Sequence, residues 1–147
     1  MEEIKQEQVK INLEDGKYIE GIGRRKTATC RVRIFKNDSE EPINIQVNGK
    51  FYKDYFKSIE LIKIVDAPIR KLKLQGLLKV TIKAKGGGMR GQAEAIRLGL
   101  SRALSKMDLS IKPKLKKSGF LTRDAREVER KKYGKKKARK SPQWHKR

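Results

Sequence analysis

The last quarter of the chain restricts its architecture more than any other segment. Residues 112–147 hold sixteen Lys/Arg and three Asp/Glu, a net charge of +13. Beyond Gly119 the bulky apolar side chains are Phe120, Leu121, Val128, Tyr133 and Trp144 alone. So few cannot offset the conformational entropy of ordering nearly thirty residues. The segment is therefore expected to be an arm rather than part of a core. Asp124 with Glu127 three residues on has the form of a capping box and predicts a short helix over 125–133 ending at Gly134. A helix that short is marginal by itself. KKKARKSPQWHKR, with Pro142, is expected to stay disordered until it meets a polyanion. Fully extended at ~3.3 Å per residue, 134–147 would reach about 46 Å, further than the surface of a small domain requires.

The rest of the chain reads as one domain. Its 147 residues leave room for little more than that. We divide it into an acidic, flexible arm (1–15), a globular domain (16–118) and an extended basic tail (119–147). YIEGIG (18–23) and TATCRVRIF (27–35) are strand-like and flank Gly23-Arg24-Arg25-Lys26, which predicts an antiparallel pair. In the second run Ala28, Cys30, Val32 and Ile34 share one face, opposite Thr29, Arg31 and Arg33, so the sheet has a buried face and a basic one. INIQV (43–47) is a third strand leading into the turn Asn48-Gly49, and LKVTIKAK (78–85) is a fourth with a lysine face. FYKDYF (51–56) predicts a short helix, and 59–72 a helix that Pro68 should disturb. The clearest helix is 89–107, where Ala93, Ile96, Leu100, Ala103, Leu104 and Met107 recur at helical spacing. The small Ala93, Gly99 and Ala103 permit close approach to a sheet.

Catalytic chemistry finds little support. Gly86, Gly88 and Gly91 spell the dinucleotide fingerprint, but that motif needs a second parallel strand after its helix, and Asp108-Leu-Ser-Ile followed by KPKLKKSG offers none. No Gly-Lys-Ser/Thr closes a P-loop. His145 is the single histidine, which excludes a histidine triad or a His-rich metal site. Cys30 falls on the buried face of its strand as a small core filler, and Glu60 and Asp66 lack a convincing partner. No metal, cofactor or small-molecule substrate is expected. The glycines instead allow a tight strand-to-helix turn, whose amides, with Arg90, form a candidate phosphate site.

The net charge of the whole chain is +22, and nucleic acid is the leading partner for it because each neutralised phosphate releases a counterion. No apolar run approaches a membrane span. MEEIKQEQ lacks a signal-peptide core, and one cysteine excludes an internal disulfide, so a soluble cytoplasmic protein is expected.

Four stretches together resemble one family: GIGRRKTATCRVRIF, INIQVNGK, VTIKAKGGGMRGQAEAIRLGLSRAL and LKKSGFLTRDAREVERKKYGKKKARKSPQWHKR. They are similar to the small-subunit ribosomal protein nine family in its bacterial or organellar form, and span most of 21–147. The resemblance implies an α+β fold: a two-layer α/β sandwich with a mixed four-stranded sheet, helices packed on it and a long basic C-terminal tail. It implies a structural constituent of the subunit head that binds ribosomal RNA and neighbouring ribosomal proteins, with the tail reaching the peptidyl-site transfer RNA. It implies a cytoplasmic ribosome and leaves an organellar one open.

Carried over, Arg24, Arg25 and Lys26 would face ribosomal RNA from the domain, and Arg90, from the glycine-turn phosphate site, is expected to join them. Arg123, Arg126, Arg130, Lys131, Lys132, Lys135, Lys136, Lys137, Arg139 and Lys140 would do so from the tail, and Lys146 and Arg147 would touch transfer RNA. Arg90 and Glu94 stand where the family commonly has a small hydroxyl residue and a glycine, and Trp144 replaces a phenylalanine. The charge alone also admits a histone-like DNA binder, and the glycine spacing alone a dinucleotide-dependent enzyme.

Overall fold

The computed structural model describes residues 17–36, 44–74, 76 and 78–146. The acidic arm expected over 1–15, residue 43 of the third strand and the terminal Arg147 lie outside them. Five strands form one sheet in the order β1-β2-β5-β3-β4. β1 (Ile19–Arg25), β2 (Ala28–Lys36) and β5 (Leu78–Lys85) pair antiparallel, and β3 (Asn44–Val47) runs parallel to β5. The sheet is mixed, as expected, but has five strands rather than four. The extra one is β4 (Lys50–Phe51), a two-residue return of the Asn48-Gly49 turn too short to leave a periodic signal. Asn48 fixes the corner: its amide donates to the Ala84 carbonyl and its side-chain oxygen accepts from the Ala84 N–H.

Helices cover one face. α1 (Tyr52–Tyr55) and α2 (Ile59–Leu72) connect β4 to β5, and α3 (Met89–Met107) lies across β1 and β2 with α2 packed beside it. Pro68 sits inside α2 without ending it. The buried face alternates as expected: Ala28, Cys30, Val32 and Ile34 of β2 and Val80, Ile82 and Ala84 of β5 meet Ala93, Ile96, Leu100 and Leu104 of α3. Each large aliphatic side chain taken from water there contributes about 1.5–3 kcal/mol. Burial pushes the Cys30 thiol up to about 12, so it is an inert filler.

The contact between β1 and α3 is made by missing side chains. A Cβ on Gly21 would lie 2.2 Å from the Gly99 carbonyl oxygen, and one on Gly23 would lie 1.9 Å from that of Ala95. Both obstacles are backbone, so neither can swing aside. β1 is an edge strand, and α3 also covers its free carbonyls: Arg102 donates to Ile22 O at 2.8 Å and Lys106 to Glu20 O at 2.9 Å. Capping an edge in this way blocks unwanted strand pairing.

Past α3 the structure adds one element and corrects one expectation. Residues 108–118 carry a 3₁₀ turn (Leu109–Ile111) and a short helix α4 (Lys112–Lys117), with Ile111 and Leu115 buried against the core. The predicted helix over 125–133 does not form. Asp124 accepts from the Arg126 N–H in a local turn, and the chain then continues without regular structure. Val128, the one aliphatic residue that could anchor such a helix, is 89% exposed. A nine-residue helix with nothing to pack against does not offset its nucleation cost.

Because the β1–α3 approach is backbone to backbone, Gly23→Ala should be far worse than an ordinary glycine replacement. A loss of about 3 kcal/mol is expected, at the upper end for overpacking. Gly49→Ala, where a Cβ meets nothing and only the positive φ is strained, should cost about 1 kcal/mol. Urea midpoints of the two variants check the order.

Candidate RNA interface

The tail leaves the domain at a built junction. Gly119 adopts φ +72° after α4, and Phe120 and Leu121 pack partly against the core. The Arg97 guanidinium lies over the Phe120 ring, 5.5 Å from its centroid. Arg25, at the end of β1, holds the next residues. Its Nε donates to Glu94 Oε2 of α3 at 2.6 Å, its Nη2 sits 3.1 Å from the Asp124 carboxylate, and its Nη1 donates to the Arg126 carbonyl. Only 12% of the Arg25 side chain is exposed. One guanidinium thus ties strand, helix and tail together.

The carboxylates at this junction stay ionised. Burial raises the Glu94 carboxyl, but hydrogen bonds from Arg25 and Arg90 outweigh that and hold it below the usual carboxylate value. Asp124 is held far below its ordinary value, chiefly by the Arg126 side chain and then by the Arg126 N–H.

Past this junction nothing is buried. Val128, Tyr133 and Trp144 are all at least 79% exposed. Arg139 makes a paired contact with Glu129 at 2.7 and 3.0 Å, and Arg130 and Lys135 donate to carbonyls of the tail itself. Both partners in the Arg139–Glu129 pair are exposed, and such a pair contributes little. Arg123, Lys131, Lys132, Lys136, Lys137, Lys140 and Lys146 are exposed with no carboxylate partner among the described residues.

On the domain the structure separates residues that the sequence placed together. Arg24 points to solvent from the sheet's open face and Lys26 from the hairpin turn, where it adopts φ +51°. Arg25 points the other way and is committed to the junction. Arg90 is largely exposed and 3.4 Å from Glu94. The glycine turn at 86–88 is locked from within: Gln92 Nε2 donates to Gly86 O, and Tyr55 donates to Gln92 Oε1. Among the described residues no strand follows α3, so the dinucleotide context is missing, and no His/Cys/Asp/Glu group could hold a metal. No helix among them is long and apolar enough to cross a membrane.

The Glu94–Arg25–Asp124 fastening was missed from sequence. The only hint was Glu94, a lone acid on the helical face of Arg90 and Arg97.

A small α+β domain that fixes the root of a coreless polycationic arm is the build of a ribonucleoprotein component. The family pattern described as Ribosomal protein S9/S16 matches residues 23–147, and the chain belongs to that family. Small ribosomal subunit protein uS9 of Thermotoga neapolitana is 49% identical over 130 residues, 86% of this chain and 94% of its own length. The protein of that name from Amoebophilus asiaticus is 46% identical over 129 residues, 88% of this chain and 98% of its own length. Small ribosomal subunit protein uS9c of Mesostigma viride is 47% identical over 134 residues, 86% of this chain and 90% of its own length. The chain is a structural constituent of the small ribosomal subunit, an RNA-binding protein of translation and not an enzyme. That membership implies ribosomal RNA and neighbouring ribosomal proteins as its partners.

The lowered Glu94 value fixes a sign. Its contribution is complete above its ordinary value of 4.5 and is lost as pH falls through the lowered folded value. Glu94→Gln should therefore be less stable than the parent at pH 7, by about 1 kcal/mol for one charge-assisted hydrogen bond. The gap should narrow as pH falls below the ordinary carboxylate range, and denaturant midpoints compared at neutral and acid pH check this.

Proposed function

We infer that the tail binds ribosomal RNA along its length and brings the C-terminus to the peptidyl-site transfer RNA. One observation carries this reading: beyond Arg126 the described chain is rich in exposed cations and buries no side chain. A segment of that composition gains order only from an anionic surface, and phosphate contacts position a protein without reading sequence. Specificity then comes from fitting a fixed root and a long arm to folded RNA. Arg123, Arg126, Arg130, Lys131, Lys132, Lys135, Lys136, Lys137, Arg139 and Lys140 line the RNA. Arg139 exchanges Glu129 for phosphate as it does so. Arg24, Lys26 and Arg90 contact RNA from the domain, while Arg25 acts through the tail root. Trp144, 79% exposed, offers a stacking surface for a base. Lys146 and Arg147 form the transfer-RNA contact.

Residues 134–147 carry seven Lys/Arg and no Asp/Glu. Deleting them should leave the thermal midpoint of the domain in place. The slope of log affinity for small-subunit RNA against log salt should fall by about 5, at ~0.7 per contact. An unchanged slope removes the tail from RNA binding. Deleting only Lys146 and Arg147 should spare subunit assembly and weaken peptidyl-site transfer RNA binding in a filter assay. Unaltered transfer RNA affinity would refute that contact.

A further inference from the structure

The tail and the Arg25 junction leave one large charged feature of the domain without a role: the face of the sheet opposite the helices. Alternation places Arg24, Arg31, Arg33, Lys79, Lys83 and Lys85 on it, against one carboxylate among the described residues, Glu20. Glu20 is shared, 3.3 Å from the Arg31 Nε and 3.0 Å from that of Arg33. Lys79, Lys83 and Lys85 have no acidic partner among the described residues. The middle of the face is a concavity of about 420 Å³ lined by Arg31, Arg33, Gln46, Thr81, Lys83 and Lys85.

The register makes this arrangement costly. Arg31 stands directly opposite Lys83 on the neighbouring strand, and like charges so placed destabilise a sheet. Folding alone gives no reason for the pair. Arg31 and Arg33 on β2, and Lys83 and Lys85 on β5, stand two residues apart, about 6.7 Å, a pitch that suits successive phosphates of one nucleic-acid strand. At one end Tyr18, 47% exposed, packs on Phe35 and carries Arg33 over its ring at 4.6 Å. A protein partner would want an apolar centre, and among the described residues the exposed apolar side chains of this face are Ile22 and, at one end, Tyr18 packed on the half-buried Phe35. Structured RNA fits it better.

We propose that the open sheet face is a second RNA-docking surface, separate from the tail, in which Arg31, Arg33, Lys83 and Lys85 grip the phosphate backbone of a ribosomal RNA segment seated in the concavity. This rests on the RNA-binding reading above and extends it to residues the tail does not involve. The domain would then be clamped between RNA on its sheet face and RNA along its arm.

The test uses the full chain, the chain lacking 134–147, and each of these with Arg31→Gln, Lys83→Gln and Lys85→Gln combined. Affinity for a transcript of small-subunit ribosomal RNA is measured against salt. The triple change should lower the log–log slope by about 2, at ~0.7–0.9 per phosphate contact, and by the same amount with or without the tail. The thermal midpoint should hold or rise, since the Arg31–Lys83 repulsion is removed. Lys83→Arg with Lys85→Arg should keep the parent slope. A triple variant with the parent slope in both backgrounds overturns the proposal and leaves the tail reading intact. It would also be the result if the face met an acidic protein. A parent chain with no salt-dependent binding to the transcript overturns both.

Discussion

The backbone approach of β1 to α3 is the constraint on which the rest of the structure depends. Gly21 and Gly23 remove the side chains that would hold strand and helix apart, and Gly99, Ala95 and Ala103 answer from the helix. The closeness puts the end of β1 beside the first turns of α3. Arg25 thereby meets Glu94, and the same guanidinium can reach the tail at Asp124 and Arg126. It also sets Arg102 and Lys106 over the free carbonyls of the edge strand. Two short apolar faces without side chains thus decide where a long polar arm begins.

A chain with a net charge of +22 repels itself, and its cations are distributed unevenly. Those needed for the fold are paired with Glu94, Asp124 and Asp66, or cap backbone carbonyls. Asp66 is fully buried between Arg70 and the Tyr52 hydroxyl, and burial raises its carboxyl despite those partners. Among the described residues two groups of the remaining cations stand together, one on the open sheet face and one on the arm. Neither stabilises the isolated domain, and the Arg31–Lys83 pair works against it. RNA bound on both sides, as proposed, would turn both liabilities into binding free energy through counterion release.

The legible parts were those governed by local pattern. Alternation in TATCRVRIF and LKVTIKAK marked both faces of the sheet, and the apolar stripe of 89–107 marked α3, because burial of one face imposes its period on the sequence. The 125–133 helix failed because a capping signal lowers the cost of starting a helix without supplying anything for it to pack on. α4 escaped notice because one buried leucine among lysines carries no period. The RRK turn was read as one unit, yet successive strand residues face opposite ways, so Arg24 and Arg25 part company.

By itself the sequence determined that the chain has a small core and a coreless cationic arm, since that depends only on how many apolar side chains each segment owns. It also determined which strand residues are buried, because the period is local. Only the tertiary structure decided which cations are free. Arg25 and Glu94 are 69 residues apart, and Arg25 and the Asp124 turn 99. Their meeting follows from glycine-to-backbone packing, and no local pattern encodes a contact made by side chains that are absent.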